Sequence, residues 1–314
     1  MIFAGTMVVA LAIDAVVGWP AYAYRRIGHP VTWIGALIAL LEARWNRGGA
    51  IRRQGMGALC VMVVIAATAL PALAIQTLLP SGLEGILLGA VLAWPLIAAR
   101  SLHDHVAAVA RPLGEGDLSG ARVAVAMIVG RDPARLDAAG VARAALESLS
   151  ENASDGIVAP LFWGAVAGLP GIAAYKAINT LDSMIGHRTV RYEDFGKGAA
   201  RLDDLANLIP ARLTGLAIAL ASGRAASLRV MWRDAHKHRS PNAGWPEAAM
   251  SGALGVRMSG PRIYDDRVAA EPWLNATARD PRADDLVHGL ALYRRAIALC
   301  GGMLMIMALV QRGP

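Results

Sequence analysis

The segment 147–212 gathers carboxylates, amides and basic side chains in a chain that is otherwise strongly apolar. Its first part places Glu147 and Glu151 four residues apart, so a helix would carry both on one face, and Asn152 and Asp155 follow them. Two acids on one face suit a divalent cation or a general base. The alternative is a solvated acidic face, but a membrane-like run begins directly after this group, and polar residues at membrane depth usually have a function.

The next predicted helix carries polar side chains along two overlapping stripes. They are Tyr175, Lys176, Asn179, Thr180, Asp182 and Ser183. Asp182 is suited to hold a metal ion, and Lys176 is suited to contact phosphate as a compact charge. After this helix, Arg188 and Arg191 can bind phosphate or carboxylate through paired hydrogen bonds. Anchoring at the membrane interface is the alternative interpretation of these basic residues.

Two further groups have the composition of a ligand site. Asp203, Asp204 and Asn207 have spacings of three and four residues, which suit a metal or phosphate site and equally an acidic first turn of a helix. The turn sequence S-P-N-A-G begins at Ser240 and contains Asn242, and its backbone and amide groups can meet a ligand. The chain has neither a G-x-x-x-x-G-K-[ST] loop nor a dinucleotide fingerprint, so any nucleotide would bind an unusual site.

The composition excludes an ordinary soluble domain. The 314 residues are 55% hydrophobic and 18% charged, with a mean hydropathy of +0.43, which predicts an integral membrane protein. Apolar runs predict spans at 1–24, 54–83, 85–99, 156–175 and 296–311. No basic residue precedes the first run and Asp14 lies inside it, so we interpret it as a retained segment and not as a cleaved signal.

Basic residues cluster at 24–54, 100–156 and 222–282, whereas the turn at Pro80 has none. The positive-inside rule therefore places these three regions in the cytoplasm and the turn outside. A pI near 9.9 raises nucleic acid as a partner. The charge is spread over juxtamembrane loops without a nucleic-acid-binding motif, so we predict no nucleic acid partner.

The run 156–175 cannot cross simply, because a full crossing would place the basic segment behind it outside. Its prolines and glycines are typical of a broken or re-entrant element. We therefore predict an all-α, polytopic integral membrane protein with broken or re-entrant segments and about four to six crossings.

The single domain 1–314 would comprise a cytoplasmic helical portion at 100–155, a polar catalytic core at 147–212 and a cytoplasmic loop at 222–290. Asp132 before Pro133 predicts the start of a helix in the first of these parts.

Six ordered motifs, which span almost the whole chain, carry a family resemblance. They read G-H-P-V-T-W-I-G, S-L-S-E-N-A-S-D-G-I-V-A-P-L-F, Y-K-A-I-N-T-L-D-S-M-I-G, R-Y-E-D-F-G, A-R-L-D-D-L-A-N-L-I-P-A-R and S-P-N-A-G-W-P-E. In this order they resemble the membrane-bound adenosylcobinamide-phosphate synthase family of cobalamin biosynthesis. Two positions depart from the family pattern: Trp19 stands where Asp is usual, and Val190 stands where an acidic residue is common. The first departure leaves Asp14 as the one carboxylate of the N-terminal segment.

The resemblance implies a membrane-bound, ATP-dependent ligase, and the charge pattern places its site on the cytoplasmic side of the cell's inner membrane. Such an enzyme joins a carboxylate of adenosylcobyric acid to the amine of (R)-1-aminopropan-2-ol or its O-phosphate. Amide formation of this kind proceeds through an acyl phosphate, and it requires Mg²⁺, cations for the phosphoryl charge and a base for the ammonium group. Whether the amine is phosphorylated and whether the chain forms a homo-oligomer stay open.

Our hypothesis assigns these roles by chemical type. Metal ligands are Asp182, Asp203 and Asp204; phosphate ligands are Lys176, Arg188 and Arg191; Glu151 or Asp155 acts as base or metal ligand; Asn152, Asn179, Ser240 and Asn242 orient substrate. Two other classes fit part of the pattern. A non-catalytic membrane sensor would not need this density of polar groups, whereas a transporter of corrinoids or other anions would also use broken helices around a polar centre.

Overall fold

The computed structural model describes residues 3–130, 132–264, 267–269 and 271–310. Its helices are α1 (Ala4–Val17), α2 (Ala21–Ile27), α3 (Pro30–Trp45), α4 (Ala50–Leu78), α5 (Leu83–Ala93), α6 (Ala99–Gly114), α7 (Leu118–Ala126), α8 (Ala138–Ala153), α9 (Ala159–Ile185), α10 (Lys197–Ser222), α11 (Ala225–Asp234), α12 (Gly244–Leu254) and α13 (Ala283–Val310). The short strands β1 (Met258–Ser259) and β4 (Trp273–Leu274) pair antiparallel, as do β2 (Arg262–Tyr264) and β3 (Arg267–Ala269). The predicted all-α class is confirmed.

Several helical stretches have the length and composition of membrane spans. Five qualify among the described residues: Ala50–Leu78, Leu83–Gly114, Ala138–Ile185, Lys197–Ser222 and Ala283–Val310. The pair Ala4–Val17 and Ala21–Trp45, bent by 105°, would be a sixth. A polytopic helical membrane protein is therefore confirmed, and five or six spans agree with the predicted range. The ends of the first and last predicted spans, Met1 and Gln311, lie outside the described residues.

The chain groups into two compact units. Unit 1 comprises Met1–Ala98, Ala159–Asn207 and Met303–Pro314, and unit 2 comprises Ala99–Val158 and Leu208–Gly302. The sequence led us to expect one domain over residues 1–314, and that expectation stays a prediction.

The core of unit 1 forms where α3, α4 and α9 pack. Its buried side chains are Ile34, Ile38, Leu41, Cys60, Val61, Val64, Ala177, Leu181, Ile185, Phe195 and Ala199. The α9 members Ala177, Leu181 and Ile185 recur every fourth residue and so share one face. Between membrane spans the gain comes from close van der Waals packing of these side chains and not from their removal from water. That gain fixes the rotation of α9, and the polar residues of this helix are left on its other faces.

The predicted break in the run 156–175 is present. Inside α9, Gly168 has φ +71° and ψ −147°, a conformation that disfavours any side chain. The Oε1 atom of Gln76, on α4, accepts a hydrogen bond of 2.8 Å from the backbone N–H of Leu169. A side chain therefore satisfies a backbone donor that the break releases, as a membrane-embedded helix requires.

The predicted helix start at Asp132 is wrong. Asp132 does accept a hydrogen bond from the backbone N–H of Ala134, but no helix follows it directly. Instead α8 begins at Ala138, and Asp137 caps it by accepting from the N–H of Gly140 at 2.7 Å. The sequence offered two aspartates of equal capping chemistry, and the second one begins the helix.

Candidate active site

The polar face of α9 supplies the first part of the site in unit 1. Lys176, Asn179 and Asp182 are half-buried on this helix. Helix α9 ends directly after the site, and the backbone N–H of Gly186 donates to the carbonyl of Asp182 at 2.7 Å. A Cβ atom at Gly186 would collide with Oδ1 of Asp182. The glycine after the helix therefore makes room for the carboxylate.

A chain of buried hydrogen bonds positions Asp203 at the start of α10. The hydroxyl of Tyr175 donates to Oδ1 of Asn207 at 2.8 Å, and Nδ2 of Asn207 donates to Oδ2 of Asp203 at 3.0 Å. Tyr175 and Asn207 are each 1% exposed, and Asp203 is 8% exposed. Nearby, the indole N–H of Trp163 donates to the carbonyl of Ala206 at 3.0 Å, which joins α9 to this part of α10.

Three carboxylates meet at this point. Asp182 and Asp204 both lie close enough to Asp203 for charge repulsion, and Asn179 lies beside Asp203 as well. The second oxygen of Asp203, Oδ1, is buried and accepts no hydrogen bond of good geometry from the described residues. A buried carboxylate oxygen with only the poorly aligned amide of Asn179 beside it is costly in a structural role, so it is a candidate position for a ligand or cation.

Cationic groups accompany the three acids. His187 acts electrostatically on Asp182, and Arg188 acts on Asp204. The segment that carries both is held against α4, because Asp194 accepts hydrogen bonds from Arg53 and from Gln54. The buried side chain of Phe195 packs into the core of unit 1 and fixes the same segment. The structure thus unites Asn179, Asp182, Arg188, Asp203 and Asp204 in unit 1, whereas Lys176, on the same helix as Asp182, acts electrostatically on His29.

His29 belongs to this part of the molecule, although the sequence assigned it no role. It caps α3, where its Nδ1 accepts from the backbone N–H of Val31 at 3.2 Å, and Lys176 acts on it electrostatically. Its ring packs edge-on against Trp19, with the centroids 5.1 Å apart. The one feature of the sequence that could have drawn attention to His29 is its place in the motif G-H-P-V-T-W-I-G. The hydrogen bond between Asn207 and Asp203 could have been predicted from their spacing of four residues, which places both on one helix face.

Arg191 has a different environment from Arg188. Its Nε and Nη2 atoms donate to the two carboxylate oxygens of Glu42 at 2.9 and 2.7 Å. Asn46 completes the arrangement by donating to Glu42 at 2.8 Å and to the carbonyl of Arg191 at 3.0 Å. This paired contact with a buried acid uses two of the five N–H donors of the guanidinium, balances its charge and fixes its position. The geometry favours an anchoring role, and the substrate-binding role of Arg191 stays a prediction.

The acids and amide around residue 151 lie in unit 2. Glu151 and Asn152 are exposed at the end of α8, and Asp155 is half-buried in the π-helical turn Ser154–Val158 that follows. Asn152 donates to the carbonyl of Ser148 at 3.0 Å. Glu147, by contrast, is buried, and its Oε1 accepts from the backbone N–H of Ser259 at 2.8 Å. The predicted acid pair therefore splits into a structural Glu147 and an accessible Glu151.

The S-P-N-A-G turn is also in unit 2. The hydroxyl of Ser240 accepts from the backbone N–H groups of Asn242 and Ala243, each at 3.2 Å. Asn242 is 4% exposed, and the buried pair His238 and Glu247 flanks the turn, with Nε2 and Oε1 3.7 Å apart. The serine hydroxyl shapes the turn, and the proposed contacts of Ser240 and Asn242 with substrate stay predictions.

The donor set in unit 1 fits Mg²⁺ in one particular way. Among the described residues no group of three or more His, Cys, Asp or Glu side chains is arranged to hold a metal ion alone. Mg²⁺ usually keeps water and binds one or two carboxylates together with substrate phosphates. Oδ1 of Asp203, with Asp182 or Asp204, is therefore suited to an ion that arrives with phosphate, and Arg188 supplies nearby positive charge.

The helices define a polytopic membrane protein, and the polar cluster is its candidate site for charged ligands. The chain belongs to the CobD/Cbib protein family, whose model matches residues 7–293. This match confirms the resemblance that the six motifs carry. Relatives support a role of the chain in cobalamin biosynthesis, and no solved structure matches it.

Three relatives, each named a cobalamin biosynthesis protein CobD, illustrate the similarity. The protein of Rhodobacter capsulatus is 69% identical over 311 residues, which cover 99% of this chain and 98% of the relative. The protein of Brucella suis is 49% identical, with 96% of this chain and 95% of the relative covered. The protein of Rhizobium meliloti is 47% identical, with 93% of each chain covered.

Proposed function

We propose that this protein is an ATP-dependent amide ligase of cobalamin biosynthesis. It would join a carboxylate of adenosylcobyric acid to the amine of (R)-1-aminopropan-2-ol or of its O-phosphate, and yield adenosylcobinamide or its phosphate. The observation that carries the proposal is the buried Oδ1 atom of Asp203, which lies among Asp182, Asp204 and nearby cations without a hydrogen-bond partner of good geometry in the described residues. A site that binds a metal–phosphate group needs such an oxygen.

The chemistry divides into two balanced steps. First, the corrinoid carboxylate attacks the terminal phosphorus of ATP, so that an acyl phosphate forms and ADP leaves. The amine then attacks the acyl carbon, the amide bond forms, inorganic phosphate leaves and one proton passes to a base. Mg²⁺ would neutralise phosphate charge when bound.

The residues of this chain would bind and orient the reactants. Asp203 and Asp182 would hold the metal–phosphate group, while Lys176 and Arg188 stabilise the charge that develops on the transferred phosphoryl oxygens. Tyr175 fixes Asp203 indirectly, through the hydrogen bonds of Asn207. The base role of Glu151 or Asp155 is assigned by chemical type.

We further propose that the site faces the cytoplasm, where ATP is available. The charge pattern supports this orientation, since the basic regions at 24–54, 100–156 and 222–282 would all lie inside. The membrane concerned would be the cytoplasmic membrane of the cell.

The decisive experiment uses the full chain purified in detergent. Adenosylcobyric acid, the amine, ATP and Mg²⁺ are supplied, and both the corrinoid amide and ADP are measured. We expect stoichiometric amide and ADP, with activity lost in Asp203→Asn and kept in Glu193→Gln, an exposed acid of the adjacent segment. Detergent leaves no compartment to cross, so amide formation also excludes a transporter or a sensor. ADP without amide, or equal activity in both variants, would contradict the proposal.

A further inference from the structure

A cavity of about 510 Å³ opens in unit 2 beside the first turns of α13. Its wall is rich in cationic side chains: Arg224, Arg279, Arg282, His288 and Arg295. Two acids, Asp284 and Asp285, also line it. Four arginines against two aspartates leave an excess of two positive charges when the histidine is neutral, so the cavity attracts anions.

One of the arginines is neutralised within the wall. Arg279 donates to the two carboxylate oxygens of Asp285 at 2.7 and 2.8 Å. The backbone N–H of Arg282 also donates to this carboxylate, at 2.7 Å. Asp285 is therefore occupied by its neighbours, and it holds the segment before α13 in place. Asp284 remains as the acid that offsets part of the other positive charge.

The other arginines keep most of their donors. Arg224 uses Nη1 to donate to the carbonyl of Ala253 at 2.8 Å. Arg295 makes one long contact of 3.4 Å, from Nε to the carbonyl of Ala291. Within the part of the chain that the structure describes, the side chain of Arg282 makes neither a hydrogen bond nor an ion pair. Since each guanidinium has five N–H donors in a planar fork, these three can bind tetrahedral oxyanions.

The position of the cavity along α13 indicates where its ligand comes from. Arg295 is the last charged residue before the apolar stretch 296–310, where Met303, Ile306 and Leu309 are exposed on the helix surface. An apolar, outward-facing surface in a predicted span is in contact with lipid. The arginine cluster thus lies at the level where lipid phosphates occur, and basic pockets there bind anionic head groups.

We propose that this cavity is a phosphate-binding site, filled by the phosphate of an anionic phospholipid or of a soluble phosphate compound. The boundary position of Arg295 favours the lipid. The proposal is independent of the ligase activity, because it concerns residues that have no role in that scheme.

The test compares two exposed cationic positions with a matched control. The double variant Arg282→Gln/Arg295→Gln removes two of the donors that line the cavity. Arg294→Gln removes one positive charge next to Arg295 on α13, from an exposed residue that does not line the cavity. Melting temperatures of the purified full chains establish that each variant folds.

Two probes distinguish the sources of phosphate. Native mass spectrometry in detergent measures binding of phosphatidylglycerol, with diacylglycerol as a lipid that lacks phosphate. Thermal protection by inorganic phosphate measures the soluble source. We expect phosphatidylglycerol to bind the unmodified chain and Arg294→Gln alike, and to bind the double variant about ten-fold or more weakly, because charge-assisted hydrogen bonds are lost.

Protection by inorganic phosphate that disappears in the double variant alone would support the site and identify a soluble ligand. The proposal is overturned if the unmodified chain binds neither probe. It is also overturned if diacylglycerol binds as well as phosphatidylglycerol, or if Arg294→Gln weakens binding as much as the double variant.

Discussion

Asn207 donates from Nδ2 to Asp203 at 3.0 Å while its Oδ1 accepts the hydroxyl hydrogen of Tyr175 at 2.8 Å. The tyrosine thereby fixes the orientation of the amide, because an O–H donor must face the carbonyl oxygen of the asparagine. The amide in turn presents a donor to Asp203 and stabilises its charged form. One oxygen of Asp203 accepts this hydrogen bond, and the other lies beside Asn179 at the position where we propose a ligand.

We predict that Asp203→Asn separates activity from stability. The substitution keeps the shape of the side chain but removes the anionic oxygen proposed to bind the metal–phosphate group, so kcat should fall about 100-fold or more. The melting temperature should stay the same or rise, because one of three mutually repelling carboxylates becomes neutral. Ligase assays and thermal unfolding of the same preparation measure both quantities. A large fall in melting temperature with unchanged kcat would show that Asp203 is structural.

A second prediction concerns Tyr175, whose hydroxyl is connected to Asp203 through the side chain of Asn207. Tyr175→Phe leaves the buried Oδ1 of Asn207 without its donor, at a cost of about 1–2 kcal/mol in unfolding free energy. It should also lower kcat several-fold. The control is Tyr192→Phe, because the hydroxyl of Tyr192 makes no hydrogen bond with the described residues, so its removal should change neither quantity. Equal effects of the two substitutions would contradict the proposal that Tyr175 positions Asp203 through Asn207.

The membrane class and the broken span follow from the sequence because each depends on local composition. A run with Pro170 and Gly171 cannot remain a regular helix, and a neighbouring residue, Gly168, carries the break. The start of α8 could not be predicted in the same way. Asp132 and Asp137 both accept a hydrogen bond from a backbone N–H, so the type of side chain alone does not identify the residue that caps the helix.

The sequence predicted which types of side chain form the candidate site, but it did not predict which of these side chains contact one another. Spacing alone places Asp203 and Asn207 on one helix face, but the meeting with Asp182 depends on how α9 and α10 pack. Arg188 and Arg191 look equivalent in sequence. Their different surroundings arise because Glu42, 149 positions away from Arg191 along the chain, meets one of them.

The break in α9 gives a third prediction. Gly168→Ala forces a side chain into a left-handed backbone conformation, and its Cβ would collide with Oε1 of Gln76. The unfolding free energy should fall by about 1–3 kcal/mol. Gly55→Ala on α4 is the control, because its Cβ would meet nothing within 4 Å, and alanine favours a helix. Thermal unfolding in detergent distinguishes them, and a neutral Gly168→Ala would mean that the break is not required.

The fourth prediction tests the anchoring role of Arg191. Arg191→Gln should lower the melting temperature, because Glu42, which is 7% exposed, loses both guanidinium hydrogen bonds. The KM values for ATP and the corrinoid should not change. Glu42→Gln/Arg191→Gln should be less destabilised than the two single effects combined, since both charges leave together. The exposed Arg201→Gln is the control. A raised KM with an unchanged melting temperature would instead assign Arg191 to substrate.

Asp234 at the end of α11 gives a prediction about pH. Burial alone would raise the pKa of this carboxyl, but hydrogen bonds from Arg233, Lys237 and the backbone of Asn275 outweigh burial and hold the pKa well below its ordinary value. A depressed pKa in the folded state means that this contribution to stability is complete above the unfolded pKa of about 3.9 and is lost as the pH falls below it.

Unfolding measured by tryptophan fluorescence between pH 7 and pH 3 tests this sign for Asp234. The unmodified chain should lose stability below about pH 4, because this carboxyl becomes protonated in the unfolded chain while it stays ionised in the folded protein. Asp234→Asn should be less stable at pH 7, and its stability should depend less on pH in the acid range, because the titrating group is gone. Glu115→Gln, an exposed acid in unit 2, should keep the full acid dependence. If Asp234→Asn keeps that dependence as well, another carboxylate controls the acid response.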